Sequence, residues 1–331
     1  LIETRNIVGV TTNPAIFQKA IASSEDYTED VRRLAHAGLS ADEVLIELTT
    51  SDVREACDVL RGTYDASDGI DGRVSIEVDP RLARDTEGTV KAAQMLWDKV
   101  SRPNAMIKIP ATIEGLPAIT EVIGHGISVN VTLIFSPVRY AEVVRAYIAG
   151  LERAQQQGVD LRTIGSVASV FVSRVDGVVD PELTADHQAL AGTAGLANAR
   201  LCFAAYEQEH NGSRFAALRR SGARSQRPLW ASTGAKNPSY SDTMYVDGLV
   251  AAGTVNTVPA ATLEAVADHS RFAGTTIEQQ IPAAKQTLAQ LGAASVDLAE
   301  VTNALESAGV AQFENAWESL LQTTRDRMAA G

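Results

Sequence analysis

Cysteine is scarce in this chain, and its scarcity narrows the chemistry. Of 331 residues two are cysteine, Cys57 and Cys202, far apart and in no metal-binding spacing. Each falls in a helical pattern, so both are expected to be buried thiols of a reducing compartment. Histidine is sparse too: five residues, scattered, with no ligand cluster. His187 and His210 lie in helical stretches and are expected at the surface or half-buried. Positive charge is in the minority, 29 Lys and Arg against 41 Asp and Glu, for a formal net charge of −12. A nucleic-acid partner needs a basic face, which this balance argues against. An anionic substrate would have to be held by a few local cations, not gathered by the global field. No apolar run approaches the roughly 20 residues of a membrane helix, so no membrane partner is expected. Nothing in the opening residues reads as a secretory leader, and a cytoplasmic location is the expectation. No Gly-rich dinucleotide fingerprint follows a strand; the Ser-Asp-Gly and Asp-Gly-Arg pieces near 67–73 are turn chemistry. There is no internal repeat, no low-complexity linker and no hairpin signal.

What is present is an alternation of strand and helix. Asn6 to Thr12 reads as a strand, and Asn13-Pro14 starts a helix with Asn as N-cap and Pro at the first position. Helices are expected over 14–21, 25–36 and 40–62, the last capped by Ser40 with an apolar face of Val44, Leu45, Leu48, Val53, Ala56 and Leu60. The pattern continues with strand 73–78, helix 84–100, strand 104–110, helix 116–123, strand 127–134 and a helix from Ser136-Pro137 to about Gln156. Strand 166–172, a long helical region from Asp180 to His210, a helix near 213–220, strand 228–232, a helix at 241–250 and strand 254–258 follow. Pro259 starts a further helix, and from Ile277 to Gly331 the chain reads as helix only, with Gly309 interrupting its apolar stepping. Alternation without hairpins gives a parallel sheet of βαβ units. Seven strands suit a doubly wound sheet, but the chain opens within a few residues of a strand. A (β/α)₈ barrel whose first strand lies upstream of Leu1 is therefore the expected fold. The whole chain, 1–331, is expected to be one domain, a barrel to about residue 275 with the C-terminal helices, about 277–331, as a cover.

The stretch Asn104 to Pro110 is the most informative. It is a short apolar strand with a lysine, Lys108, in its middle. Strands of a parallel sheet covered on both faces read as continuous apolar runs. A lysine there loses hydration, and burial disfavours its charged form. Such an amine is a nucleophile that can form a Schiff base with a carbonyl substrate. In a barrel the active site sits at the C-terminal ends of the strands. Read at those ends, the sequence gives Thr12 and Asn13, then Glu77, Lys108, Asn130 and Thr132, Ser169 with Arg174, Ser232 with Lys236, and Asn256 with Thr257. Individually these have plain explanations: Asn13 as a helix cap, Thr132 as a β-former, Asn256 as a turn residue. Glu77, between Ile76 and Val78, is harder to explain away, because a carboxylate inside a strand needs a partner or a task. Glu77 and Asp79 are hard oxygen ligands, but one strand supplies only these two, and no metal is expected.

Five segments together resemble the transaldolase family. They are Gly9 to Pro14, Val74 to Asp79, Met106 to Thr112, Asn130 to Ser136 and Ser169 to Arg174, in family order. Ala231 to Asn237 and the helical tail resemble the larger-chain bacterial branch found in actinobacteria. The resemblance implies a class I aldolase-type barrel of the pentose phosphate pathway that needs no cofactor and acts on sugar phosphates, as a monomer or homodimer. Its reaction moves a dihydroxyacetone unit from sedoheptulose 7-phosphate to glyceraldehyde 3-phosphate, giving erythrose 4-phosphate and fructose 6-phosphate. By motif position it implies Lys108 as the Schiff-base lysine, with Glu77 and Thr132 holding a proton-relaying water. Asn13 and Asn130, with Thr11 nearby, would bind the hydroxyls of the transferred unit; Ser169 and Arg174 would bind phosphate, with Ser232 and Lys236 on the same side. The family's general acid/base aspartate is expected on a strand before Thr11, a segment this sequence does not contain. Lys236 stands where many relatives carry arginine. The alternatives are another Schiff-base sugar-phosphate aldolase without a transfer partner, and a barrel that binds sugar phosphates passively.

Overall fold

The computed structural model describes residues 1–272, 274 and 277–330. The expected barrel boundary near Thr275 and the last expected helical residue, Gly331, lie outside the described residues. Seven strands are described: β1 (Gly9–Thr11), β2 (Arg73–Glu77), β3 (Ala105–Pro110), β4 (Val129–Ile134), β5 (Ser166–Phe171), β6 (Arg227–Ala231) and β7 (Val255–Asn256). They follow one another across the sheet in chain order, as successive βαβ units dictate. The chain groups into two compact units, Leu1–Asn130 with Arg153–Gly165 and the chain from Gly309 on, and Val131–Glu152 with Ser166–Ala308.

In the first unit β1, β2 and β3 pair in parallel, with Thr11 opposite Ser75 and Glu77 opposite Lys108. Every residue of β2 and β3 is buried, the outcome expected of a sheet covered on both faces. β1 is shorter than the expected 6–12. Ile2–Arg5 form one helical turn, and Asn6 closes it in the left-handed conformation (φ 52°), which asparagine tolerates. The helix Ala41–Val59 begins in a full capping box, Ser40 with Glu43, and buries Val44, Leu45, Leu48, Val53 and Cys57. It ends before Leu60 rather than at 62, and Arg61–Ala66 forms a separate short helix. The N-terminal ends of these strands are polar and largely bonded locally, with Asn104 Oδ1 buried without a partner among the described residues. Arg73 donates to Gly69 O (2.8 Å) and to Ser128 Oγ (3.1 Å), while Asn104 Nδ2 reaches Cys57 O and Gly72 O at 2.8 Å each. A Cβ on Gly165 would sit 2.4 Å from the Arg73 guanidinium carbon, so the close approach requires glycine.

In the second unit β5, β6 and β7 pair in parallel, with Ser169 opposite Leu229 and Trp230 opposite Asn256. β7 has only two residues where five were expected. The expected helix over 180–210 is broken into two 3₁₀ turns, Asp180–Glu182 and Ala185–Leu190, and the helix Ala194–His210. The break has a cause: Asp180 accepts from Gly192 N (2.9 Å) and from Tyr240 Oη (2.6 Å), fixing a loop. A helix not expected, Ser173–Val179, follows β5 directly. The 241–250 helix shrinks to Met244–Asp247. His210 is not at the surface or half-buried but 2% exposed. Its Nδ1 lies 2.9 Å from Tyr206 O, Gln226 N donates to its Nε2 (3.1 Å), and burial pushes its pKa down to about 4. It is a neutral core histidine; His187 is half-buried as expected. Cys57 and Cys202 are free and buried, also as expected. The tail forms the helices Ile277–Ala293 and Leu298–Ala330, and the second passes through Gly309 without a break. No helix among the described residues is long and apolar enough to cross a membrane.

Candidate active site

The register of β2 and β3 places Glu77 and Lys108 as direct neighbours, so their side chains leave the sheet on the same side. Lys108 Nζ lies 3.2 Å from Glu77 Oε2 and donates to Thr12 O at 3.2 Å. The two side chains are 6% and 2% exposed. Burial pushes the Glu77 carboxyl up to about 7, against the pull of the Lys108 charge and hydrogen bond. Glu77 also lines a small cavity of about 60 Å³, with Asn13, Asp42 and Asp79 beside the apolar Phe17, Ile46 and Trp317. Glu77 Oε1 and Thr11 Oγ1 are buried without a hydrogen-bond partner among the described residues. Asn104 Oδ1, just before β3, is likewise open among the described residues, so it is the contact of Glu77 with the Lys108 amine that marks this end for a ligand or reactant.

The remaining polar groups of the first unit are held in place by backbone. Thr12 Oγ1 donates to Ser75 O (2.8 Å), which fixes the turn from β1 into the following helix. Asn13 caps that helix, its Oδ1 accepting from Ile16 N at 2.9 Å, and its amide group is left for other use. Asn130, 1% exposed, donates from Nδ2 to Ser75 Oγ at 3.0 Å. The strand period sets Thr132 on the same face of β4 as Asn130. Thr132 is fully buried, and its Oγ1 has no partner among the described residues. Leu133, next in the chain, takes φ 61°, a left-handed conformation that is strained for a bulky side chain. Strain of this kind collects at functional positions, and here it follows Thr132 directly.

The second unit contributes cations. Arg174, in the first turn of Ser173–Val179, lies with its guanidinium carbon 5.0 Å from the Phe171 ring centroid, and burial lowers its pKa. Lys236 is lowered by partial desolvation and then by the Arg174 charge, so the two cations feel each other. Neither makes an ion pair with a carboxylate among the described residues. Ser169 is buried on β5 at 3% exposure. Ser232 takes φ 55° at the end of β6, and its hydroxyl lies 2.9 Å from that of Ser173. The helix bearing Arg174 is anchored by Asp176, whose carboxylate accepts from Gly195 N (2.9 Å) and Tyr245 Oη (2.7 Å).

Two polar residues near the strand ends serve local structure. Asp79 is engaged: it caps the turn Pro80–Leu82 and pairs with Arg81 Nη2 at 2.6 Å. Asn256 accepts from Thr233 Oγ1 at 2.9 Å and so serves its own loop. Two contributors were missed. Ser75, which orients Asn130, alternates with Glu77 along β2 and could have been found from that period. Phe313 lies with its ring centroid 5.3 Å from Lys108 Nζ and comes from the distant C-terminal helix, with nothing in the sequence to announce it.

A parallel α/β scaffold with a buried amine, a carboxyl poised near neutrality and separate unpaired cations defines a class: Schiff-base enzymes acting on anionic carbonyl substrates. The chain belongs to the Transaldolase/Fructose-6-phosphate aldolase family, whose model matches residues 1–324. It is similar to "Transaldolase 1" of Streptomyces coelicolor, 58% identical over 97% of this chain and 85% of that protein. It is likewise similar to "Transaldolase" of Mycolicibacterium smegmatis, 54% identical over 100% of this chain and 90% of that one. "Transaldolase" of Thermobifida fusca is 55% identical over 100% of this chain and 91% of its own length. The fold class is the (β/α)₈ barrel, with extra helices and a C-terminal helical extension.

Proposed function

We propose that Lys108 forms the Schiff base through which this enzyme transfers a dihydroxyacetone unit from sedoheptulose 7-phosphate to glyceraldehyde 3-phosphate. The products are erythrose 4-phosphate and fructose 6-phosphate. The observation that carries the reading is the Lys108 amine, buried and 3.2 Å from a carboxyl whose pKa is about 7. Near neutral pH Glu77 is then close to half-protonated, and it can both donate and accept.

The steps follow from that property. The free amine of Lys108 adds to the C2 carbonyl of the ketose. The carbinolamine hydroxyl leaves as water with a proton from Glu77, relayed by a water that Thr132 also holds. The iminium withdraws the electron pair of the C3–C4 bond, the C4 hydroxyl loses its proton, and erythrose 4-phosphate departs. The resemblance assigns that last proton to an aspartate on a preceding strand. The remaining enamine adds to the aldehyde of glyceraldehyde 3-phosphate, and hydrolysis releases fructose 6-phosphate and restores the amine. Asn13 and Asn130, with Thr11, bind the hydroxyls of the transferred unit. Ser169, Arg174, Ser232 and Lys236 bind the phosphate, a role that suits cations without carboxylate partners. We read the chain as one domain that acts in the cytoplasm on sugar phosphates, as a monomer or homodimer; one cooperative unfolding transition and sedimentation would check those two points.

Borohydride added with fructose 6-phosphate tests the reading, since reduction should fix a three-carbon or hexose adduct on Lys108 and on no other lysine. Absence of an adduct would refute the Schiff base. The family description also covers fructose-6-phosphate aldolase, so a second reading stands beside the first. The two separate on one measurement: an aldolase releases free dihydroxyacetone from fructose 6-phosphate alone, whereas a transferase holds it until an acceptor aldehyde arrives.

A further inference from the structure

Lys108 Nζ meets a carboxylate, a backbone carbonyl and the ring of Phe313, whose centroid is 5.3 Å away. The first two contacts need N–H groups. An ammonium carries three, but an iminium nitrogen carries one, so condensation with substrate removes hydrogen-bonding capacity while the positive charge remains. The ring face is indifferent to that loss, because a cation–π contact requires charge and not a hydrogen. Phe313 is 6% exposed and lies on the helix Leu298–Ala330, in a stripe with Val310, Trp317, Leu320 and Leu321. That helix is fastened locally. Arg81 reaches Glu318 Oε1 at 3.3 Å and lies over the Trp317 ring at 6.0 Å, and Arg327 donates to Ser24 O at 2.7 Å. The ring is therefore held by a fixed element and not by a mobile side chain on a loop.

We propose that Phe313 is a positioning residue for the covalent intermediate: its π face stabilises the cationic Schiff base on Lys108 and keeps it from bulk water. The inference rests on the Lys108 reading above. Glu77 is the one titratable group within ion-pair distance of this amine among the described residues, so it has to be controlled for.

The experiment measures the borohydride-trapped fraction on Lys108 against pH, with fructose 6-phosphate, in the full chain and in Phe313→Leu, Phe313→Met and Phe313→Tyr. Loss of the ring in the Leu and Met variants should lower the trapped fraction about tenfold and move the alkaline limb of the profile down by about one pH unit. The acidic limb, set by the supply of free amine, should stay in place. Phe313→Tyr should remain within about twofold of the parent, since the π face survives. Should Leu fail to fold, Met gives the same reading. A folded Leu or Met variant with an unmoved alkaline limb would overturn the proposal, and so would a Tyr variant as impaired as Leu, which would assign Phe313 to packing alone. A parent that traps nothing would instead overturn the Lys108 assignment, so the two failures are distinguishable.

Discussion

The two compact units treat charge in opposite ways. In the first, a lysine and a glutamate are taken out of water together, 3.2 Å apart, and each tempers the other's desolvation. In the second, burial lowers Arg174, burial and then the Arg174 charge lower Lys236, and neither cation is ion-paired with a carboxylate among the described residues. Compensated burial holds a proton on the edge of transfer, which is what bond-making at an amine needs. Uncompensated cations lower their own repulsion only when an anion arrives, which is what substrate capture needs. In the proposed function, the paired charges thus take the chemistry and the unpaired cations the binding.

Substitutions in the two units should therefore fail differently. Lys108→Ala should lower kcat by more than about a thousandfold, because the covalent route is lost with the nucleophile. Circular dichroism should show the fold retained, since Glu77 can take up a proton instead of standing as a bare buried anion. Residual transfer of a few per cent would contradict this. Glu77→Gln should lower kcat by about 10²–10⁴-fold and remove an inflection near pH 7 from the kcat/KM profile, which in the parent falls as Glu77 loses the proton it donates. An inflection that persists would assign it to another group. Arg174→Ala should raise KM for phosphorylated sugars about ten- to a hundredfold, with kcat nearly unchanged and little effect on unphosphorylated dihydroxyacetone. A fall in kcat of the same size would mean that the two units do not divide the work as described. Lys236→Arg should lower KM about two- to fivefold, because a guanidinium grips phosphate through two parallel bonds where an ammonium is a point charge.

The smallest effect is on stability. Glu77 has a folded pKa of about 7 against an ordinary value of 4.5, so the folded chain binds more protons than the unfolded chain between those values. Its contribution to stability therefore weakens as pH rises through that window. The melting temperature of the parent should fall relative to that of Glu77→Gln from pH 4.5 to 7. Parallel curves would show that Lys108 fully compensates the buried carboxylate.

Much of the candidate site was legible before any coordinates. Glu77 and Lys108 each interrupt an apolar run, and a charge in a fully covered strand is visible as a breach of pattern. Asn13-Pro14 announced a helix start that the structure contains. The errors lie where local pattern and tertiary bonding disagree. His210 sits in an amphipathic-looking stretch, yet Gln226 and Tyr206 draw it into the core. Asp180 breaks a helix that propensity would continue, because Gly192 and Tyr240 hold its side chain. Gly309 would weaken an isolated helix, but Val310, Phe313 and Trp317 bury enough apolar surface to carry the helix through.

Periodicity, caps and the placement of polar residues at strand ends were enough to specify a parallel α/β chain, its order of elements and a lysine buried within an apolar strand, because these depend on neighbours within a few positions. The opposition of Glu77 to Lys108 depended on the register of two strands thirty-one residues apart. The pKa of the carboxyl depended on its burial in the folded chain, and the aromatic face over the amine on a helix near the far end of the chain. Desolvation and through-space contact are properties of volume, and a linear string leaves them open until it is folded.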